Sequence, residues 1–142
     1  MQRNFILPVR IYYEDTDAAG MVYYANYLKF MERGRTEWLR QLGFVQSRMV
    51  DELGVAFVAR TSKVDYLKSA RLDDLLEVVS EVASVGRAQV VFAQRVLRDG
   101  EVLAEGTMRI ACVDPARGRA CAMPPNLHAL FARLLPVQTA HD

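Results

Sequence analysis

From Tyr24 to Leu42 the apolar residues Tyr24, Tyr27, Leu28, Met31, Trp38, Leu39 and Leu42 recur at steps of three and four, while Lys29, Glu32, Arg33, Arg40 and Gln41 fill the other faces. This is the period of a helix buried along one stripe, and it predicts one helix of about five turns. Gly43 stands where such a helix ends, and Arg40 places a cation in its last turn, where the helix dipole favours one. Gly34 interrupts the stripe at a cost of about 1 kcal/mol relative to alanine, which predicts a neighbour packed close to the helix at that point.

On either side of this helix the period changes. "FILPVRIYY" (5–13) is β-branched and aromatic with Pro8 inside it, the pattern of an edge strand. Residues 46–53 read as a short helix ended by Gly54. Four β-rich runs follow, "VAFVARTSKVDYL" (55–67), "LLEVVSEVASV" (75–85), "AQVVFAQRVLR" (88–98) and "EVLAEGTMRIACVD" (101–114). The last two are joined by Asp99-Gly100, the pair favoured in a type I′ hairpin. A second, shorter amphipathic helix spans Asn126 to Leu135, ahead of a polar tail.

Strand, long helix, then a meander of long strands gives an α+β class: one antiparallel sheet wrapped around the long central helix. A single domain over 1–142, with its core at about 5–135, is expected. One helix cannot cover both faces of such a sheet, so its outer face or an edge strand is expected to meet another copy of the chain.

Composition adds mainly exclusions. The 142 residues are 51% hydrophobic and 25% charged, with 18 Lys+Arg against 17 Asp+Glu and a formal net charge of +1. Neither sign gathers into a stripe, so no nucleic-acid partner is indicated. Cys112 and Cys121 match no metal-ligand spacing, and with two histidines, His128 in the late helix and His141 in the tail, no metal site is expected. The cysteines are read as reduced thiols of a cytoplasmic protein. The start "MQRNFILPVR" is too short in its apolar run for a signal sequence, and no later window approaches a membrane span.

The candidate chemistry lies just before the long helix, where "EDTDAAG" (14–20) sets three acids against a glycine turn. Taken alone, the cluster also fits a solvated loop in which Thr16 or Asp17 caps the helix from a distance, or a Mg²⁺ or Ca²⁺ site on Glu14, Asp15 and Asp17. "VRIYYEDTDAAGMVYYANYLKFMERGRTEWLRQLG" as a whole resembles the signature of the hotdog-fold acyl-CoA thioesterases of the 4-hydroxybenzoyl-CoA thioesterase class, in particular the Tol-Pal-associated branch. "KVDYLKSARLDDLLEV" (63–78) resembles that branch's second recurrent segment. Tyr24 stands where the branch often has histidine and the hydroxybenzoyl-CoA enzymes have tyrosine; Ser69 stands where the branch usually has proline.

The resemblance implies thioester hydrolysis without a cofactor, coenzyme A being part of the substrate, with Asp17 essential and the Tyr24 backbone N–H polarising the thioester carbonyl. An acid brought to a helix start with unpartnered N–H groups fits that chemistry, since hydrolysis needs a base for water and donors aimed at the developing oxyanion. Gly20 lets the loop turn tightly. The Asn26 amide is placed to hold the water or the loop. Tyr27, with Tyr23, Phe30 and Trp38, suggests an apolar acyl pocket. Glu32 and Glu37 on the helix are rival bases, ranked below Asp17 for their distance from its dipolar end. Lys63, Lys68, Arg71 and Arg87 are candidate partners for the coenzyme A phosphates. The partners expected are an acyl-CoA or acyl-carrier thioester and further copies of the chain, as a homodimer or a dimer of dimers. The competing reading is a non-catalytic acyl-thioester or protein-binding module that partners a cell-envelope complex.

Overall fold

The computed structural model describes residues 2–136, so His141 and the end of the polar tail lie outside the described residues. Among the described residues, six strands, β1 (Asn4–Arg10), β2 (Ala56–Tyr66), β3 (Leu75–Val85), β4 (Gln89–Arg98), β5 (Glu101–Asp114) and β6 (Arg119–Ala120), form one sheet. Its order is β1-β3-β4-β5-β2, with β6 paired to β5, and each pairing is antiparallel. The helices are α1 (Asn26–Gln41), α2 (Gln46–Leu53) and α3 (Pro125–Leu134). The strand limits at 75–85 and 101–114 and the short helix at 46–53 fall where the period of the sequence puts them. The two-residue β6 is too short to leave a period in the sequence.

The sheet wraps around α1, which buries Tyr27, Phe30, Met31, Gly34, Trp38 and Leu39 against it. At Gly34 the helix comes close to the sheet: a Cβ there would lie 3.1 Å from Ser80 Oγ and 3.1 Å from Val78 Cγ1. Under it sits Gln94, 1% exposed, whose Nε2 donates to Met31 O and Ser80 Oγ at 2.8 Å each. Its Oε1 accepts from Arg35 Nη1 at 2.9 Å. The buried amide thus has its hydrogen-bonding groups engaged, which removes the penalty of placing it in an apolar core.

β1 is an edge strand, as Pro8 requires, because its other side bonds to nothing in the sheet. It ends at Arg10 rather than Tyr13. The Asp15 carboxylate accepts the Tyr12 N–H at 2.8 Å and draws residues 13–15 into a 3₁₀ turn, a local bond that competes with strand pairing. At the β4–β5 hairpin Asp99 has φ 51 and Gly100 φ 80, both left-handed as a type I′ turn demands. The outer face of the sheet is charged rather than apolar. A cleft of about 580 Å³ there is lined by Lys63, Asp65, Glu81, Arg95, Glu105 and Thr107 among others.

Candidate active site

The loop between β1 and α1 closes on itself through Asp17. Thr16 and Val22 bridge, the Asp17 N–H donates to Met21 O at 2.8 Å and the Gly20 N–H to Asp17 O at 3.0 Å. Asp17 Oδ1 accepts from the Ala19 N–H at 2.9 Å and the Met21 N–H at 3.2 Å. Gly20 makes the turn with φ 77, where a Cβ would be strained by the backbone angle alone. The second carboxylate oxygen, Oδ2, accepts no hydrogen bond from the described residues, and Asp17 is exposed. Neither Thr16 nor Asp17 caps the helix: the Thr16 hydroxyl donates to Tyr13 O, and α1 starts without any side-chain cap.

The loop is braced from behind by the segment 70–74. Val22 N–H donates to Ala70 O at 2.9 Å, Leu72 N–H to Gly20 O at 3.3 Å, and Met21 bridges Arg71. Asp74 anchors this segment by accepting from the Arg71 N–H and from Arg98 Nη1, both at 2.8 Å. Partial burial pushes the Asp74 carboxyl up, but the Arg98 and Arg71 hydrogen bonds outweigh it and hold its pKa below the ordinary value. Asn26 Nδ2 donates to Asp15 O at 2.9 Å, and Tyr23 N–H donates to the same oxygen at 3.3 Å. Of the two roles open to Asn26, holding the loop is the one this bond performs.

The helix start differs from its expected place at Tyr24. Asn26, Tyr27 and Leu28 N–H donate to Tyr23, Tyr24 and Ala25 O at 2.9, 3.2 and 3.2 Å, a tightened first turn of i to i−3 bonds. These bonds satisfy donors that would otherwise be orphaned at the helix start and move the vacancy upstream. Among the described residues, the Tyr24 and Ala25 N–H groups donate to no protein acceptor. Ala25, missed in the sequence because an alanine carries no side-chain signal, therefore offers a second donor beside Tyr24.

Tyr27 is 2% exposed, and its hydroxyl accepts the Ala70 N–H at 2.8 Å. Burial pushes its phenol pKa up. It ties the helix to the segment behind the Asp17 loop. The aromatic surface beside the loop is made instead by Tyr23, Tyr24 and Tyr66, at 51%, 57% and 42% exposure. Tyr24 and Tyr66 meet edge-on at 5.6 Å between centroids. No local pattern marks Tyr66, because only the sheet register carries the end of β2 to the helix start.

The candidate cations separate. Lys63 lies on the outer face, away from α1. Arg87 lies beyond the far end of β3 from the Asp17 loop, and the eleven residues of that strand span roughly 35 Å. Neither reaches Asp17 within one chain. Lys68 pairs with Glu101 at 2.9 Å, whereas the Arg71 side chain makes no ion pair among the described residues and stands next to the loop. Glu32 accepts from the Thr36 hydroxyl and Glu37 pairs with Arg40.

A single antiparallel sheet wrapped around one long helix is the hotdog architecture. The sequence profile of the thioesterase-like superfamily matches residues 12–131, and the chain belongs to that superfamily. It is 46% identical over 134 residues to the acyl-CoA thioesterase YbgC of Haemophilus influenzae, covering 94% of this chain and 98% of that one. It is 44% identical over 128 residues to the acyl-CoA thioester hydrolase YbgC of Escherichia coli O157:H7, covering 89% and 95%. Among solved structures, a probable thioesterase from Bartonella henselae superposes with a TM-score of 0.81 at 29% identity, covering 85% of this chain and 99% of that one. Among the described residues, no helix is long and apolar enough to cross a membrane.

Proposed function

We propose that this protein hydrolyses acyl-CoA thioesters to a free carboxylic acid and coenzyme A, with Asp17 as general base or nucleophile and the Tyr24 N–H as oxyanion donor, assisted by that of Ala25. The observation that carries this reading is the division of labour at Asp17: Oδ1 is spent on the loop, and Oδ2 is left to take a proton from water or to attack the carbonyl. The two free N–H groups at the helix start would receive the negative charge as the carbonyl carbon becomes tetrahedral. The relatives described as acyl-CoA thioesterases support the same substrate class. On its motif we assign the chain to the Tol-Pal-associated branch of the 4-hydroxybenzoyl-CoA thioesterase class. We further take Arg71 as the candidate in this chain for a coenzyme A phosphate. Release of free thiol from a panel of aliphatic and aromatic acyl-CoAs and an acyl-carrier thioester tests the reading. Turnover of at least one is expected, and tight binding of all with cleavage of none would replace it with the non-catalytic binding module.

We also propose that the working form is a homodimer joined at β2. This strand is an eleven-residue edge that leaves Val58 and Tyr66 at 44% and 42% exposure, with Leu67 just beyond it at 54%. An open edge of that length invites pairing, and a second copy there would shield the exposed Asp17 loop from bulk water. The charged outer face is a poorer apolar surface for joining dimers into a tetramer. Light scattering at micromolar concentration should give at least twice the single-chain 16.1 kDa; a monomer mass would rule the dimer out.

A further inference from the structure

At the end of the sheet away from Asp17, two thiols lie against each other. Cys112 and Cys121 Sγ are 3.7 Å apart, and neither is in a disulfide. The backbone between them is already joined, the Cys121 N–H donating to Cys112 O at 2.9 Å, so the pair extends the β5–β6 register by one position beyond Val113 and Ala120. Directly opposed residues of antiparallel strands have Cα atoms about 5 Å apart, inside the range a disulfide spans, and closing the bond needs the sulfurs to approach by about 1.7 Å.

The two thiols differ in access. Cys112 is 0% exposed. Cys121 is partly exposed and lines a cleft of about 370 Å³ together with Arg87, Asp114, Arg117 and Arg119. Asp114 is engaged by Arg117 at 3.7 Å and by the Ala116 and Arg117 N–H groups. Three guanidinium groups against one carboxylate leave the cleft with a surplus of two positive charges.

We propose that Cys121 and Cys112 form a thiol–disulfide exchange site whose reagent is an anionic small disulfide of the glutathione disulfide type, held by the arginine cleft. Cys121, as thiolate, attacks one sulfur of the reagent and displaces one glutathione thiolate, leaving a mixed disulfide on Cys121. Cys112 then attacks the Cys121 sulfur, its proton passing to the second glutathione thiolate as that group leaves. The two protein thiols are oxidised by two electrons and one glutathione disulfide is reduced to two glutathiones. Burial assigns the order. A tripeptide disulfide cannot reach Cys112, and desolvation, together with the neighbouring Cys121, pushes the Cys112 thiol up to about 12. It reacts only once a disulfide sulfur is held against it, so closure is the slow step.

The experiment combines thiol titration with intact-mass measurement on the whole protein treated with glutathione disulfide. The parent is expected to lose both thiols and two hydrogens in mass, with the mixed disulfide passing through as an intermediate. Cys112→Ser, or Cys112→Ala if the buried hydroxyl prevents folding, should keep one glutathionyl group on Cys121. Cys121→Ser should remain unmodified. Arg117→Gln combined with Arg119→Gln should slow attack by glutathione disulfide on the order of three- to tenfold, while leaving attack by neutral hydroxyethyl disulfide unchanged. A parent that stays glutathionylated, cross-links between chains or does not react would overturn the exchange site. Equal slowing toward both disulfides would overturn the role of the cleft. These readouts do not depend on thioester hydrolysis.

Discussion

Asp17→Asn should lower kcat on the order of 10² to 10⁴-fold, about 3 to 5 kcal/mol of transition-state stabilisation, with KM changed far less. The geometry makes this substitution unusually selective. Asparagine keeps an Oδ1 acceptor for the Ala19 and Met21 N–H groups that Asp17 holds at 2.9 and 3.2 Å, so the loop retains its closure. What changes is the unbonded Oδ2, which becomes an amide donor able neither to accept a proton nor to attack a carbonyl. Binding should therefore survive while chemistry fails, and the thermal midpoint should stay close to the parent's. Asp15→Asn and Glu32→Gln are the controls. Asp15 accepts the Tyr12 N–H to form the 3₁₀ turn, and Glu32 meets Thr36 along the helix. Each should cost less than about tenfold in kcat. Steady-state kinetics on the best acyl-CoA decides it: an Asp17→Asn protein turning over near the parent rate would overturn Asp17 as base or nucleophile.

The largest stability effect is expected at Gly106→Ala. A Cβ on Gly106 would overlap the Lys63 carbonyl oxygen and lie 3.0 Å from Val64 Cα. Both contacts are backbone, so no side-chain rotation relieves them. β2 would have to move off β5 toward the Tyr66 end of their pairing, where Gly106 opposes Val64. Overpacking of this kind costs about 3 kcal/mol or more, a fall of roughly 10 °C in thermal midpoint for a chain of this size. Gly34→Ala is the informative contrast. Its Cβ would meet side-chain atoms, Ser80 Oγ and Val78 Cγ1 at 3.1 Å, which can give by a few tenths of an ångström, and the helix gains about 1 kcal/mol in propensity. The net change there should stay within about 1 kcal/mol. Calorimetry that finds Gly106→Ala no less stable than Gly34→Ala would show that β2 is not held against β5 as described. Displacing β2 should also weaken the proposed dimer.

Features that depend on neighbours a few positions away were legible in the order of the residues alone. The stripe from Tyr24 to Leu42 specified a buried helix, and the runs at 75–85 and 101–114 specified strands, because helix and strand periods are properties of consecutive residues. Asp99-Gly100 specified its hairpin and Gly20 its turn, since few residues tolerate a positive φ. Gly34 announced a close neighbour without saying which. The fold supplied that neighbour, Ser80 and Val78 with Gln94 just beyond, and moved Tyr27 from the expected pocket to a buried tie on Ala70. It shifted the free N–H groups upstream of the helix, carried Tyr66 to Tyr24, sent Lys63 to the outer face and Arg87 to the far end of the sheet, and set Cys112 against Cys121. The reason is common to all of these. Register and curl of the sheet set which residues meet across the fold, and a single chain read in order contains the periods of its elements but not the distances between them.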